Sequence, residues 1–272
     1  MPELPEVETT CRGIAPHIEA RTVTGVIVRN RNLRWPVPAR LNRILMDQRI
    51  EQVSRRGKYI LLYTTAGCLI MHLGMSGSLG ITAAGKPPRK HDHVDIVFDS
   101  GQCLRLHDPR RFGSIHWTTA EPLEHALLAG LGPEPLAREF DLAYIWQASR
   151  KRRVAIKSFV MNSHIVVGVG NIYASEALFM AGVHPRRAAG RVTRKDYEKL
   201  VRAIKTVIRA AIRQGGTTLR DFTQSDGNPG YFKVKLKVYG RENEPCTICG
   251  TPIRQLVIGQ RASYFCPACQ HT

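Results

Sequence analysis

Cys246, Cys249, Cys266 and Cys269 form two C-x-x-C pairs separated by sixteen residues, and no other feature restricts the local fold as tightly. A segment of that length closes as a hairpin and brings both pairs to one tetrahedral centre. The spacing predicts one structural Zn2+ with no open position for catalysis. Disulfides would be the other use of four clustered thiols, and an intracellular setting disfavours them. Cys11, Cys68 and Cys103 stand alone among apolar neighbours and are expected to be buried hydrophobes. Within the hairpin, Arg261 could reach a phosphate, and Tyr264 and Phe265 are expected to pack the module.

The rest of the chain must suit a partner of strong negative charge. Forty Lys and Arg face 22 Asp and Glu across 272 residues, a formal charge of +18. That excess points to nucleic acid in preference to a small acidic substrate, although charge alone fits any basic protein. With 43% hydrophobic residues the length suits two domains with real cores. No apolar run approaches the ~18 residues of a membrane span, and the start lacks the pattern of a signal peptide. A cytoplasmic, nucleoid-associated protein without membrane contact is expected.

The opening Met1-Pro2-Glu3-Leu4-Pro5-Glu6 carries a second chemical possibility. Removal of Met1 would leave Pro2 with a free secondary amine, and a chain-terminal amine titrates near pH ~8. Such a nucleophile attacking a sugar C1′ gives a cationic iminium, an electron sink for eliminations. Glu3 and Glu6 are adjacent proton carriers. Prolines and acids also favour the first turn of any helix. Leu4, Val7, Cys11, Ile14 and Ile18 recur at helical spacing, so a helix is expected, bent or ended by Pro16.

From Arg21 to Trp117 short apolar runs alternate with turns. Residues 22–28, 58–63, 68–73, 94–98 and 103–107 read as strands of an antiparallel sandwich, with Lys58 at the start of one. Two glycine-bearing loops, His72 to Gly77 and Asp108 to Gly113, hold an apolar Met75 or Phe112 that could wedge between bases, with Arg110 beside the wedge. Pro122, Pro133 and Pro135 mark a linker, after which the periods become helical. Lys151-Arg152-Arg153 leads into a helix ending near Val160. Gly168-Val169-Gly170-Asn171 opens another that stops at Gly182, and glycines at a helix mouth leave amides for a phosphate. A long amphipathic helix follows Thr193 and ends at Gly215-Gly216. Residues 217–230 read as a functional or mobile loop, poorly ordered without ligand. Residues 231–238 read as a strand with Lys233, Lys235 and Lys237 on one face.

Together these motifs resemble the bacterial formamidopyrimidine-DNA glycosylases, which excise oxidised purines such as 8-oxoguanine. The likeness spans MPELPEVET, GKY, HLGMSG, KHDHVD, DPRRFG, VGVGNIYASEALF, GGTTLRDF, DGNPGYF, VYGR and the four-cysteine finger. The resemblance implies an α+β fold: an N-terminal helix and antiparallel β-sandwich, then a helix-two-turn-helix domain and a zinc-ribbon hairpin, divided at 1–134, 135–230 and 231–272. It implies a bifunctional glycosylase and AP lyase of base excision repair, a monomer acting on damaged double-stranded DNA. Pro2 corresponds to the Schiff-base nucleophile, Glu3 to the acid of base release, Glu6 to a supporting group, Lys58 to the proton-transfer lysine of β-elimination and Arg261 to the finger arginine of δ-elimination. Met75, Arg110 and Phe112 correspond to the residues that fill the void of an everted nucleotide. His91, Arg110, Arg152, Asn171, His72 and Lys157 are the implied DNA contacts. Residues 217–231 resemble the loop that covers the everted base.

Where many relatives carry an Asp after an apolar pair, this chain reads Val160-Met161-Asn162, so helix capping there is expected to differ. The pyrimidine-directed endonuclease VIII-like enzymes share the start and helical motifs, but typically read glycine where Leu4 stands and lack the Arg-Phe wedge. Those features favour purine lesions. Two other readings share parts of the pattern: a pyrimidine-lesion glycosylase would cut thymine glycol faster than 8-oxoguanine, and a non-enzymatic zinc protein would bind damaged duplex and leave it whole.

Overall fold

A computed structural model describes residues 2–215 and 236–271. Residues 2–129 and 215 group into one compact unit, and 130–214 and 236–271 into another. The first begins with α1 (Leu4–Ile18), whose stripe of Leu4, Val7, Cys11, Ile14 and Ile18 is buried. Pro16 lies within α1 and does not end it, the helix running on to Ile18. Its missing amide costs little there, one turn from the end.

The strands follow as β1 (Val23–Val28), β2 (Ile50–Arg56), β3 (Tyr59–Thr64), β4 (Gly67–His72), β5 (Ser78–Ala83), β6 (Asp92–Phe98), β7 (Gln102–His107) and β8 (Ser114–Thr118), with a short α2 (Leu41–Leu45) after β1. They form two four-stranded sheets, ordered β1-β6-β7-β5 and β2-β3-β4-β8, and every pairing is antiparallel. Leu62, Leu69, Met71 and Ile115 of one sheet and Leu79, Val94, Ile96 and Leu104 of the other share a core with Val7, Cys11 and Ile14 of α1. The sandwich is as expected, but β2, β5 and β8 have no counterpart among the predicted strands. All three are sheet edges, where one side lacks a neighbour and the apolar signal thins. Lys58 sits one position before the strand that was expected to begin with it. Arg56 pairs with Tyr59, so Gly57-Lys58 is a two-residue turn, with Gly57 at φ 59°.

In the second unit α3 (Leu142–Ser149) is capped by the Asp141 carboxylate, which accepts from the Tyr144 amide at 2.8 Å. The basic run Lys151 to Arg153 forms the turn into α4 (Ile156–Val160). After α4, Asn162 Oδ1 accepts from the His164 amide at 3.0 Å and makes a local turn. Gly170 is the N-cap of α5 (Asn171–Ala181), and Gly182, at φ 71°, ends it as expected. Thr193 caps α6 (Arg194–Arg213), whose Tyr197, Leu200, Ile204, Ile208 and Ala211 are buried. The unit closes on a hairpin of β9 (Arg254–Ile258) and β10 (Arg261–Phe265). The expected loop at 217–230 lies outside the described residues, as do the first five positions of the strand expected at 231–238. Its last three positions are not in a strand. Among the described residues no helix is long and apolar enough to cross a membrane.

Candidate active site and nucleic-acid interface

In the first unit the residues of chemical interest cluster at α1 and at three turns. Pro2 precedes the helix, and Glu3 is its N-cap, only 2% exposed. Glu3 and Glu6 form a capping box, with the Glu3 amide donating to Glu6 Oε2 at 2.9 Å. The N-terminal pole of the helix favours both carboxylates, and the capping box fixes them in the first turn directly after Pro2. Were Met1 absent, Pro2 would present a secondary amine adjacent in sequence to a buried carboxyl group, a pair able to add to an aldehydic carbon and exchange protons. α1 packs against β2, β3 and β5, and Lys58 stands at the β2–β3 turn.

His72 ends β4 opposite Tyr59, their rings 4.8 Å apart. Burial, and then the charges of Lys58 and Arg34, hold its pKa down to about 4. Its Nδ1 accepts from the Gly74 amide at 3.0 Å, so the neutral ring carries its proton on Nε2. His72 is therefore an oriented, uncharged donor at neutral pH.

The Met75 loop and the Phe112 turn are built as one piece, and the joint is Asp108. This fully buried carboxylate accepts from Ser76 Oγ at 2.8 Å through Oδ1 and from the Gly113 amide at 2.8 Å through Oδ2. The Arg110 amide donates in turn to Ser76 Oγ at 3.3 Å. Gly74, at φ 62°, lies so near the turn that a Cβ there would stand 2.3 Å from the Phe112 carbonyl carbon. Met75 and Phe112 are left 43% and 42% exposed at the tips, with the Arg110 guanidinium 4.7 Å from the Phe112 ring centroid. Two large apolar side chains held out in water by a buried polar joint suit insertion between bases. Asp108 was not among the expected site residues; its signal was an acid directly before a proline and two arginines.

His91 is placed by a second network. Its carbonyl accepts from the Asp108 amide at 3.0 Å, and its ring lies 6.0 Å from that of His107. His107 Nδ1 contacts Asp92 Oδ1 at 2.8 Å. Burial pushes Asp92 up, but the Arg89 amide and the His107 ring outweigh it and leave its pKa below the usual carboxylate value. Asp95, also raised by burial and lowered further by Arg29 and Arg105, sits between those guanidiniums at 2.6 and 2.8 Å. Arg105 also donates to the carbonyls of Lys86 and Pro87, tying down the chain that leads into His91.

In the second unit Arg152 is exposed on the turn before α4, its carbonyl accepting from the Gly190 amide at 2.8 Å. Asn171 opens α5, with Nδ2 3.1 Å from the Ala262 carbonyl and 3.4 Å from the Tyr239 hydroxyl. Glu176, on the same helix, accepts the amides of Lys237, Val238 and Tyr239 at 2.8, 2.9 and 2.9 Å. It was also missed by sequence reasoning, and an acid inside an apolar helix was the available clue. Lys157, an expected DNA contact, is 1% exposed, with its ammonium on Ala262 O at 2.9 Å and Ser263 Oγ at 2.7 Å.

The four Sγ atoms of Cys246, Cys249, Cys266 and Cys269 lie within 4.8 Å of one another. Measured contacts of 3.4, 3.5 and 3.9 Å approach the ~3.8 Å edge of a tetrahedron with ~2.3 Å Zn–S bonds. The Ile248 and Cys269 amides donate to Cys246 and Cys266 sulfurs at 3.4 Å, which suits thiolates. The residues fit one structural zinc, closed to solvent ligands by its full set of four.

A β-sandwich whose first helix is capped by a buried glutamate, and a helical unit ending in a four-cysteine hairpin, define the architecture of a class of DNA glycosylases. Residues 1–115 match the family described as formamidopyrimidine-DNA glycosylase N-terminal domain. Residues 131–223 match the H2TH domain of the same enzymes, and 243–272 the zinc finger found in FPG and IleRS. The chain belongs to the formamidopyrimidine-DNA glycosylase family. It is 58% identical over 271 residues to the formamidopyrimidine-DNA glycosylase of Nitrosococcus oceani, covering 100% of both chains. The enzyme of Thioalkalivibrio sulfidiphilus is 57% identical over 99% of this chain and 100% of its own. A Lactococcus lactis FPG mutant in complex with Fapy-dG-containing DNA superimposes with a TM-score of 0.92 at 30% identity, both chains covered in full. The MutM (FPG) protein of Thermus thermophilus gives 0.86 at 37% identity, with 99% and 98% covered.

Proposed function

We propose that this protein is a bifunctional DNA glycosylase and AP lyase of base excision repair, removing oxidised purines from duplex DNA through a Schiff base to Pro2. The observation that carries the reading is the Pro2 nitrogen leading into a helix whose N-cap, Glu3, is a buried carboxyl group. After loss of Met1, the imino nitrogen attacks C1′ of an everted nucleotide. The glycosidic bond breaks, its electron pair leaves with the base, and Glu3 supplies the proton. The proton of the attacking amine passes to O4′ as the C1′–O4′ bond breaks, and the ring-opened iminium acidifies C2′, so that Lys58 can mediate loss of the C2′ proton and the 3′-phosphate leaves. Arg261 assists the second elimination, which releases the 5′-phosphate.

Eversion costs a few kcal/mol, less at a damaged pair. Met75 and Phe112 fill the void, and Arg110 bonds the widowed base. His91, Arg152, Asn171 and the neutral His72 grip phosphates, positioning contacts that carry no sequence information. Zinc keeps the hairpin folded and takes no part in the chemistry. Leu4 and the Arg110–Phe112 wedge favour purine lesions, and the protein acts as a single chain in the cytoplasm at the nucleoid. Borohydride trapping on an 8-oxoguanine duplex tests the reading: a covalent adduct at Pro2 is expected, and its absence from protein starting at Pro2 refutes the lyase mechanism. Faster cutting of thymine glycol would transfer the assignment to pyrimidine lesions.

A further inference from the structure

Lys157 Nζ lies at the centre of two hydrogen-bond chains that end on different DNA-facing residues. In one, the ammonium donates to Ser263 Oγ at 2.7 Å, and that hydroxyl donates to the Arg261 carbonyl at 3.2 Å. In the other, the ammonium donates at 2.9 Å to the Ala262 carbonyl, which also accepts from Asn171 Nδ2 at 3.1 Å. Ser263 is fully buried and Lys157 nearly so, so these bonds are shielded from water and strengthened by the low local dielectric. The hairpin turn rests on the same short helix. Gly259 and Gln260 take φ 55° and 60°, a two-residue reversal that suits the twist of the strands. A Cβ on Gly259 would stand 3.4 Å from Ser158 Oγ. Arg261 is the first residue after that turn, exposed and paired with Ile258 at the turn end of the hairpin.

We propose that Lys157 is a positioning residue and not a DNA contact: its ammonium locks the backbone of Arg261 and the amide of Asn171 into one frame, so that both donors meet the DNA backbone together. The inference rests on the DNA-facing roles of Arg261 and Asn171 given above. A buried cation suits the task because one group can donate several bonds at once, and the Ala262 carbonyl and Ser263 hydroxyl it holds can then turn only by breaking charge-assisted bonds.

The test is a double-mutant cycle on the zinc-loaded enzyme, with Lys157→Met as the near-isosteric variant and Arg261→Ala as its partner. The readouts are affinity for an abasic-site duplex and the ratio of δ- to β-elimination products. Lys157→Met is expected to weaken binding at least tenfold and to depress the δ-product as Arg261→Ala does. It is expected to add less than twofold in the Arg261→Ala background, because it acts through that residue. Ser263→Ala, which removes the hydroxyl linking Lys157 to the Arg261 carbonyl and leaves the Ala262 bond in place, is expected to give a smaller change in the same direction. Full additivity of Lys157→Met and Arg261→Ala, or an unchanged δ-to-β ratio in both Lys157→Met and Ser263→Ala, overturns the proposal. Borohydride trapping at Pro2 is expected to persist in Lys157→Met and Ser263→Ala, so loss of positioning is separable from failure of the lyase reading.

Discussion

Replacing Asp108 with alanine isolates the joint between the two wedge loops. The carboxylate accepts two hydrogen bonds of 2.8 Å, from Ser76 Oγ and the buried Gly113 amide. Bonds to a charged acceptor contribute roughly 1.5 to 3 kcal/mol each. The Gly113 amide would be stranded without water and lose that in full, whereas the half-buried Ser76 hydroxyl can turn to solvent and lose about 1 kcal/mol. Relief of the cost of burying the charge itself returns part of the sum, leaving a deficit of about 2 to 3 kcal/mol. If that deficit falls on the wedge-competent arrangement, kcat/KM on an 8-oxoguanine duplex should drop about 30- to 150-fold, at ~1.4 kcal/mol per decade. A preformed abasic site has no base to evict, so cutting there should fall less than about tenfold. Asp108→Asn keeps an acceptor for Gly113 and a partner for Ser76, and should cost under about 1 kcal/mol. Single-turnover excision on the two duplexes, alongside urea denaturation, measures all of this. Equal losses on both substrates, or wild-type excision by Asp108→Ala, would refute the coupling of the loops through this carboxylate.

Gly74→Ala should be costlier than any surface glycine change: φ 62° and a Cβ 2.3 Å from the Phe112 carbonyl carbon predict a loss of about 2 kcal/mol or more, read as a lower urea midpoint with lost lesion cutting. Stripping the zinc with a chelator should raise the dissociation constant for abasic duplex more than about a hundredfold and separate two thermal transitions, since structural zinc contributes on the order of 10 kcal/mol to a module's folding; a single unchanged transition would count against a folding role. His72 makes a pH prediction whose sign follows from its pKa of about 4 against 6.5 for a free ring. Between those values the unfolded chain binds the extra proton, so stability rises with pH across that window and is fully present above it, by at most about 3 kcal/mol. His72→Gln should flatten this part of the stability profile, and a His72 ring resonance that titrates near 6.5 in the folded protein would contradict the buried, neutral assignment.

The sandwich, the helix start and the zinc ligands were legible because each rests on a local pattern. The heptad-like stripe of α1 and the alternation of Val94, Ile96 and Phe98 follow directly from 3.6- and 2-residue periods. Edge strands β2 and β8 escaped because half their surface meets no neighbour, and sequence periodicity weakens with it. Asp108 and Glu176 escaped for another reason: Glu176 accepts three backbone amides 61 to 63 positions on, and Asp108 a nearby amide and a hydroxyl 32 positions away, donors with no residue signature that points to the acid. Asp108 gathers Ser76 and Gly113, and Glu176 gathers residues 237–239 from α5.

The sequence by itself determined the cysteine tetrad, the helix that starts at Leu4 behind Pro2 and Glu3, the net positive charge and the apolar Met75 and Phe112 in glycine-bearing loops. These depend on residue identity and short spacing, which folding cannot alter. Only the tertiary structure decided that Lys157 faces the Arg261 hairpin and that His72 is neutral with a fixed tautomer, and only it decided that the Met75 and Phe112 loops share one buried carboxylate. Direction, burial and hydrogen-bond partner are properties of chain segments brought together from 32 to 106 positions apart, and no local pattern encodes them.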